Sequence, residues 1–466
     1  MEKNMRMEKN MVSWKERIGY GLGDTASNLT FMVVTLYLMY FYTDVVGLNP
    51  AAVAVLLLIT KIWDAVNDPL MGLIVDRTHT KWGQCRPYFL WGALPYAIFA
   101  VLMFTTAGSN MGAKLAFAYV GYIGFDLAYT IVNIPYSAIL PSLTSNYAER
   151  TVVNSVRMIF SRIGAIIVSL ATLPLVARIG QGNEAKGFQG TVIIFSIIAV
   201  FLFLITFFST KERIPQSSGE HMKLKESFRA LKGNSPWWVL LFLNIAMWTG
   251  FTMMQQTIIY FCKYNLGNAE LSGPYMPIMM IGMFAALALM PKMSKRAIKR
   301  TLLIIGEFIS ILGMVISLIF AHISIPAFFA GVVISGFGFG MVSPLIFSML
   351  ADVVDYGEWK NGVRASGFLY SASSLGIKFG MSIGGAIGAW ILASAGYVGN
   401  AVQTQASLNA IQFIFILAPI IANVLCIIIC LFYKIDKKYP EIKADLEKKR
   451  GQVVEEPQLA DTSMSL

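Results

Sequence analysis

Apolar residues run along this chain in long unbroken stretches, not in alternation with polar ones. Stretches fall near 20–43, 52–76, 87–107, 115–141, 155–177, 190–209, 237–262, 273–291, 301–321, 325–350, 366–396 and 409–433. Each is close to the roughly 20 residues a helix needs to cross a hydrocarbon layer about 30 Å thick. Continuous apolar runs favour helices over a barrel of strands, whose residues would alternate between lipid and lumen. The pattern predicts an all-α polytopic membrane protein with twelve transmembrane helices.

The longest polar interruption, Thr210–Trp237, follows the sixth stretch and carries turn-forming patches (IPQSSGEH, KGNSP). It predicts five parts: an N-terminal segment 1–17, a six-helix half 18–209, a linker 210–236, a second six-helix half 237–434 and a tail 435–466. Two halves of six helices with weak internal repetition suit a transporter whose substrate sits between them near the midplane. A faint echo of one half in the other runs from Pro135 to Arg150 and from Pro344 to Arg364. The tail KIDKKYPEIKADLEKKR reads either as a solvated charged segment or as a short amphipathic helix.

Composition agrees with the pattern. Only 14% of residues are charged, against about 25% in soluble domains, and the mean hydropathy is +0.62. The net charge of +11 could suggest a nucleic-acid partner, but the basic residues lie in short clusters between apolar runs. Lys114, Arg178, Lys186 and Lys263 fall on one side of the predicted membrane, Lys61 and Lys378 fall inside helices, and the other Lys and Arg, counting Arg157 and Arg162 at the start of the fifth helix, fall on the side of the termini. The positive-inside rule then puts both termini in the cytoplasm. The polar N-terminal segment lacks the apolar core of a signal peptide. Cys426 and Cys430 share a helix face but have no His or carboxylate beside them, so apolar packing is expected there rather than metal ligation.

Charge inside a membrane helix costs about 2.5–3.5 kcal/mol per residue on insertion scales, so each such residue calls for a partner or a function. The second helix holds the densest set, KIWDAVNDPLMG, in which Lys61, Asp64 and Asp68 form one stripe with Asn67 beside it. Two carboxylates and an ammonium a turn apart either neutralise one another or make a cation or proton site. On the fourth helix Asp126, Tyr129, Thr130 and Asn133 share a polar face that could meet the second helix across an aqueous cavity. Asp24, Ser27, Asn28 and Thr35 share a face of the first helix, where sugar binding competes with helix packing. Arg157 and Lys378 are single cations within apolar runs, each expected to meet a carboxylate or a sugar hydroxyl; Glu307 reads as structural. Two cytoplasmic motifs read as gates or as loop stabilisers. In GLIVDRTHTKWGQCRP, Asp76 and Arg77 supply the charge; in DVVDYGEWKNGVR, Asp352, Asp355 and Glu358 stand opposite Lys360 and Arg364. There is no GxxxxGK[ST] phosphate loop, so ATP is not expected to drive the protein, and three scattered histidines offer neither a metal site nor a catalytic centre. No enzyme activity, resident cofactor or structural metal is expected.

These motifs carry a resemblance. YLMYFYTDVVGL, KIWDAVNDPLMG, VDRTHTKWGQCRP, NIPYSAILPSLT and ADVVDYGEWKNGVR, in this order from about Trp14 to about Tyr439, resemble the glycoside–pentoside–hexuronide:cation symporters of the major facilitator superfamily, the melibiose-permease-like group. The resemblance implies that Asp64 and Asp68, with Thr130 and Asn133, form the cation site. It implies too that Arg157 helps form the sugar site and that Lys378 lies near both. Melibiose permease has aspartates at the positions of Asn28 and Asn133 and a tryptophan at that of Ser137. The first of these aspartates grips the galactoside there, so α-galactoside specificity does not carry over. Without a carboxylate at Asn133 a proton becomes the first choice of coupling ion, with Na⁺ at Asp64 and Asp68 as the alternative. GYGLGDTASN and DYGEWK look more like the xyloside and glucuronide branch. The expectation is therefore a bacterial inner-membrane symporter that imports a xyloside or xylo-oligosaccharide by alternating access. Asn28, Tyr129, Asn133, Arg157 and Lys378 would shape its sugar site. The competing expectations are an uncoupled sugar facilitator and a membrane sugar sensor that moves nothing.

Overall fold

The computed structural model describes residues 12–108, 110–144, 147–213, 233–294, 297–362, 366–439, 441–442, 444–446 and 448. Among them twelve long helices follow one another. They are α1 (Trp14–Tyr40), α2 (Pro50–Asp76), α3 (Pro87–Met103), α4 (Met111–Ala138), α5 (Tyr147–Gly180), α6 (Glu184–Ser209), α7 (Ser235–Tyr260), α8 (Ser272–Met293), α9 (Lys299–Phe320), α10 (Ile325–Asn361), α11 (Ser366–Ser394) and α12. The last begins as Gln405–Gln412, passes through a π turn at Phe413–Leu417 and ends as Ala418–Leu431. By length and composition, nine helices among the described residues can cross a membrane.

Several helices outrun their apolar stretch. At about 1.5 Å per residue, the 37 residues of α10 span roughly 55 Å, well beyond a bilayer core. Hydropathy ends at the membrane surface, but the helix continues until a cap stops it, here Gly362 in the left-handed conformation (φ +68°). Starts are equally explicit. Ser13 caps α1 with Glu16 three residues on, Asn49 precedes Pro50, and Asn110, Asn183 and Ser324 each accept the N–H three residues later. The expected echo holds in part: Pro135 and Pro344 both lie inside helices. The chain then breaks after Ala138, whereas α10 runs on to Asn361.

The chain divides into two compact units. The first comprises Met1–Gly219, Thr252–Pro277 and Ser382–Phe415; the second comprises Glu220–Phe251, Ile278–Met381 and Ile416–Leu466. The division does not follow the two six-helix halves, because parts of α7, α8, α11 and α12 pack with α1–α6.

In the first unit, polar ties gather the end that holds the N terminus. Glu16 takes two bonds from the Arg213 guanidinium (2.8 and 2.7 Å), and Arg17 pairs with Glu149 at 2.9 Å. The Glu212 carboxylate accepts the backbone N–H groups of Gln84, Cys85 and Arg86 at 2.8–2.9 Å, just ahead of α3. That is the anion-binding geometry of a helix N-terminus. The expected linker therefore starts as a clamp; its residues 214–232 lie outside the described residues.

In the second unit, α9 and α10 pack along small residues. A Cβ on Gly313 would fall 2.2 Å from the Ser335 nitrogen, one on Gly331 2.6 Å from the Ser317 nitrogen, and one on Gly338 2.4 Å from the Gly306 oxygen. Lipid supplies no hydrophobic drive between helices, so such close backbone approach is what holds them together. Cys426 and Cys430 are buried in the apolar core of this unit, as packing predicted, and Glu307 is buried beside Cys426. The tail is docked rather than solvated: Ile435, Ile442 and Leu446 enter the same core, and Asp436 accepts the Arg300 N–H at 3.0 Å. Burial pushes the Asp436 carboxyl above the usual range, while the Arg300 N–H and the charges of Lys299 and Arg300 draw it back.

Candidate functional site

The first unit holds the residues singled out on α1, α2, α4 and α5 and joins several of them in two groups. On α1, Asp24 and Asn28 lie one turn apart, and Asn28 Nδ2 donates to the Asp24 carbonyl (2.8 Å) and to Ser161 Oγ on α5 (3.0 Å). Arg157, one turn before Ser161, faces Asp24 at 3.5 Å and stands 5.9 Å from the Tyr136 ring centre. The expected carboxylate partner of Arg157 is therefore Asp24, from the neighbouring helix. Gly164 makes the approach possible, because a Cβ there would sit 3.1 Å from the Asn28 Cβ and 3.2 Å from the Thr25 carbonyl.

Thr130 on α4 donates its hydroxyl to Asp68 on α2 at 3.1 Å. This joins the two helices at one of the expected cation-site carboxylates. The Thr130 oxygen keeps its lone pairs, so the pair presents oxygens to a small cation or holds a proton on Asp68. Asn67 is buried, and its Nδ2 has no hydrogen-bond partner among the described residues. A buried amide left unpaired marks a place where a ligand or water would be welcome. Asn133 is half-buried one turn beyond Tyr129. Tyr129 stacks on Phe31 of α1 at 5.2 Å, an aromatic pair that ties α4 to α1. Lys61 and Asp64 lie on α2, but their side chains fall outside the described residues, as does that of Asp76. Lys378 is half-buried on α11 in the second unit.

Several gating residues meet partners from outside their own motif. Asp352 is buried and meets Lys299 at 2.6 Å, and Asp355 accepts the Tyr439 hydroxyl at 2.9 Å. Lys360 donates to the Gly233 carbonyl at 2.8 Å. The carboxylates of α10 thus engage the start of α9 and the docked tail; Glu358 is half-buried beside them. Arg77 is exposed at the end of α2, and Arg364 lies outside the described residues. The spacing along DVVDYGEWKNGVR could not have shown this, because Lys299 and Tyr439 lie 53 and 84 residues away. Sequence reasoning also missed a cluster around Asp44, at the end of α1 remote from the N terminus.

Polar pairs buried between apolar helices are the kind of feature that marks a substrate or ion pathway in a membrane protein. Comparison with known proteins agrees: the family described as MFS/sugar transport protein matches residues 19–437. The chain belongs to that family, among its glycoside–pentoside–hexuronide:cation symporters. It is 43% identical to the isoprimeverose transporter of Lactiplantibacillus pentosus over 96% of this chain and 94% of that one. It is 33% identical to a putative glycoside/cation symporter of Escherichia coli, over 94% of this chain and 96% of that one. In fold it is similar to a bacterial homolog of the human lysosomal transporter Spinster, with a TM-score of 0.69 at 14% identity over 91% of this chain and 96% of that one.

Proposed function

We propose that the protein imports a xyloside, isoprimeverose or a close chemical relative, coupled to the inward movement of a cation. The observation that carries this is the pairing of two different polar junctions in one six-helix half. Arg157, Asp24 and Asn28 offer a charged hydrogen-bonding surface suited to sugar hydroxyls; Asp68 and Thr130 offer a titratable oxygen site suited to the ion. Tyr129 supplies an aromatic face beside them. The likeness to the isoprimeverose transporter supports the choice of sugar.

Sugar and ion sites that share α1, α2, α4 and α5 couple through small shifts of those helices, and the coupling is reciprocal: bound ion raises affinity for sugar and bound sugar raises affinity for ion. A proton on Asp68 is the first reading of the coupling ion. Na⁺ is the second, favoured by the Thr130 oxygen that would complete a hard ligand set. The excess of basic residues on the side of the termini supports a cytoplasmic placement for both.

The test is uptake of labelled isoprimeverose, melibiose and a glucuronide into proteoliposomes under an imposed pH or Na⁺ gradient. Accumulation of isoprimeverose above its external concentration under one gradient supports the proposal. Equilibration without accumulation under either would replace symport by facilitated diffusion, and binding without movement would leave a sensor.

A further inference from the structure

The ends of α1 and α7 remote from the termini share one backbone design. Each helix closes with Tyr-Phe leading into a π turn, Phe41–Val45 and Phe261–Asn265. In each, the N–H five residues on returns to the phenylalanine carbonyl, Val46 to Phe41 at 2.9 Å and Leu266 to Phe261 at 3.0 Å. Each then turns on a glycine at positive φ, Gly47 at +77° and Gly267 at +73°. This is an internal repeat at a spacing of 220 residues, and its two copies touch: the Tyr40 and Tyr260 rings meet edge-on at 5.8 Å.

At the contact lies Asp44, whose side chain is 0% exposed. Its carboxylate accepts hydroxyls from Tyr264, from Tyr397 (2.7 Å) and from its neighbour Thr43 (2.8 Å), with Lys263 Nζ at 3.4 Å. The Asp44 carbonyl accepts Asn400 Nδ2 at 2.7 Å. Lys263 in turn donates to the Tyr40 hydroxyl and to Asn400 Oδ1, both at 2.6 Å. Gly399 brings the α11–α12 loop directly onto this turn, because a Cβ there would fall 2.6 Å from the Thr43 carbonyl and 2.8 Å from the Asp44 Cα.

We propose that Asp44 is the bolt of a latch that holds this end of the transport path closed, with Lys263, Tyr264, Tyr397 and Asn400 as its keeper. A fully buried carboxylate is tolerable only while its donors remain in place. Among the described residues, every side chain that grips Asp44 apart from Thr43 comes from the π turn after α7 or from the α11–α12 loop. Opening this end must withdraw all of them together and deliver the carboxylate and the ammonium to water. The latch is therefore either closed or released, with no stable half-open state, and its strength sets the share of time the path faces the side opposite the termini. This rests on the coupled import proposed above, carried out by alternating access, but its test needs no transported sugar.

The reporter is Phe31→Cys, on α1 beside Tyr129, in a background with Cys85, Cys262, Cys426 and Cys430 changed to Ser. It is labelled with a membrane-impermeant maleimide from each face of oriented vesicles. Tyr397→Phe removes one bond to the bolt, and Gly399→Ala wedges the loop off the turn. Each is expected to raise the labelling rate from the face opposite the termini by about tenfold, which corresponds to about 1.4 kcal/mol, and to lower it from the other face. A third variant, Lys263→Met, should do the same, so the outcome does not depend on one substitution folding. Unchanged rates from both faces in variants that remain monodisperse would overturn the latch. An equal rise from both faces would also overturn it, by showing general loosening instead of release. A transport assay that failed while labelling shifted as expected would count against the transport reading and not against the latch.

Discussion

Replacing Asp24 by Asn tests whether the carboxylate positions Arg157 for sugar. The substitution preserves shape and one acceptor oxygen but removes the charge 3.5 Å from the guanidinium. At an effective dielectric constant of about 20, two unit charges at this distance attract by about 5 kcal/mol. Desolvation and residual water contact reduce the net value, since the Arg157 and Asp24 side chains keep 26% and 16% exposure. Exposed pairs contribute about 0–1 kcal/mol, while breaking a buried pair costs about 3–5 kcal/mol. An intermediate burial gives about 2 kcal/mol, or roughly 30-fold in affinity if Arg157 must be held in place to meet the sugar. Calorimetric titration of purified protein with isoprimeverose should show that loss for Asp24→Asn and no measurable binding for Arg157→Ala. Affinity for Asp24→Asn within threefold of the parent would refute the positioning role.

Asp68→Asn should abolish accumulation of sugar against a gradient while sugar exchange across the vesicle persists; full gradient-driven accumulation would remove Asp68 from the coupling site. Gly313→Leu should force α9 from α10, since even a Cβ meets the Ser335 backbone. Overpacking of about 1–3 kcal/mol should appear as a lower melting temperature in detergent, and an unchanged one would mean the seam is looser than described. Ile442→Asp should undock the tail from the core of the second unit. Faster proteolysis after α12 is the readout, and protection equal to the parent would refute docking.

The helices were legible because each apolar run had to satisfy its own backbone in lipid, a local requirement that a single stretch of sequence reveals. Helix periodicity likewise put Asp24 with Asn28, and Asp64 with Asp68, on shared faces. Pairing across helices was less legible. Arg157 called for a carboxylate, yet only the packing around Gly164 shows that Asp24 provides it. Asp44 escaped notice because it reads as a charge at the end of a helix, where charges are ordinary. Its partners stand 219 to 356 residues away, too far for any local pattern to join them. The repeat at Tyr40-Phe41 and Tyr260-Phe261 is only two identical letters and a glycine; the resemblance lies in backbone shape.

The clamps at either side of the central segment fix the last described residue before it and a residue just after it. Arg213 is fixed by Glu16, and Asn234 is buried with its amide on the Val353 carbonyl at 3.2 Å. At no more than about 3.6 Å per residue, the chain between these anchors has a contour length of about 75 Å. A break in the covalent chain between them would leave each anchor seated in its own unit. Continuity of the polypeptide here thus serves stoichiometry, one copy of the segment before the break delivered with each copy of the segment after it, while Arg213 and Asn234 are each held by contacts within their own unit.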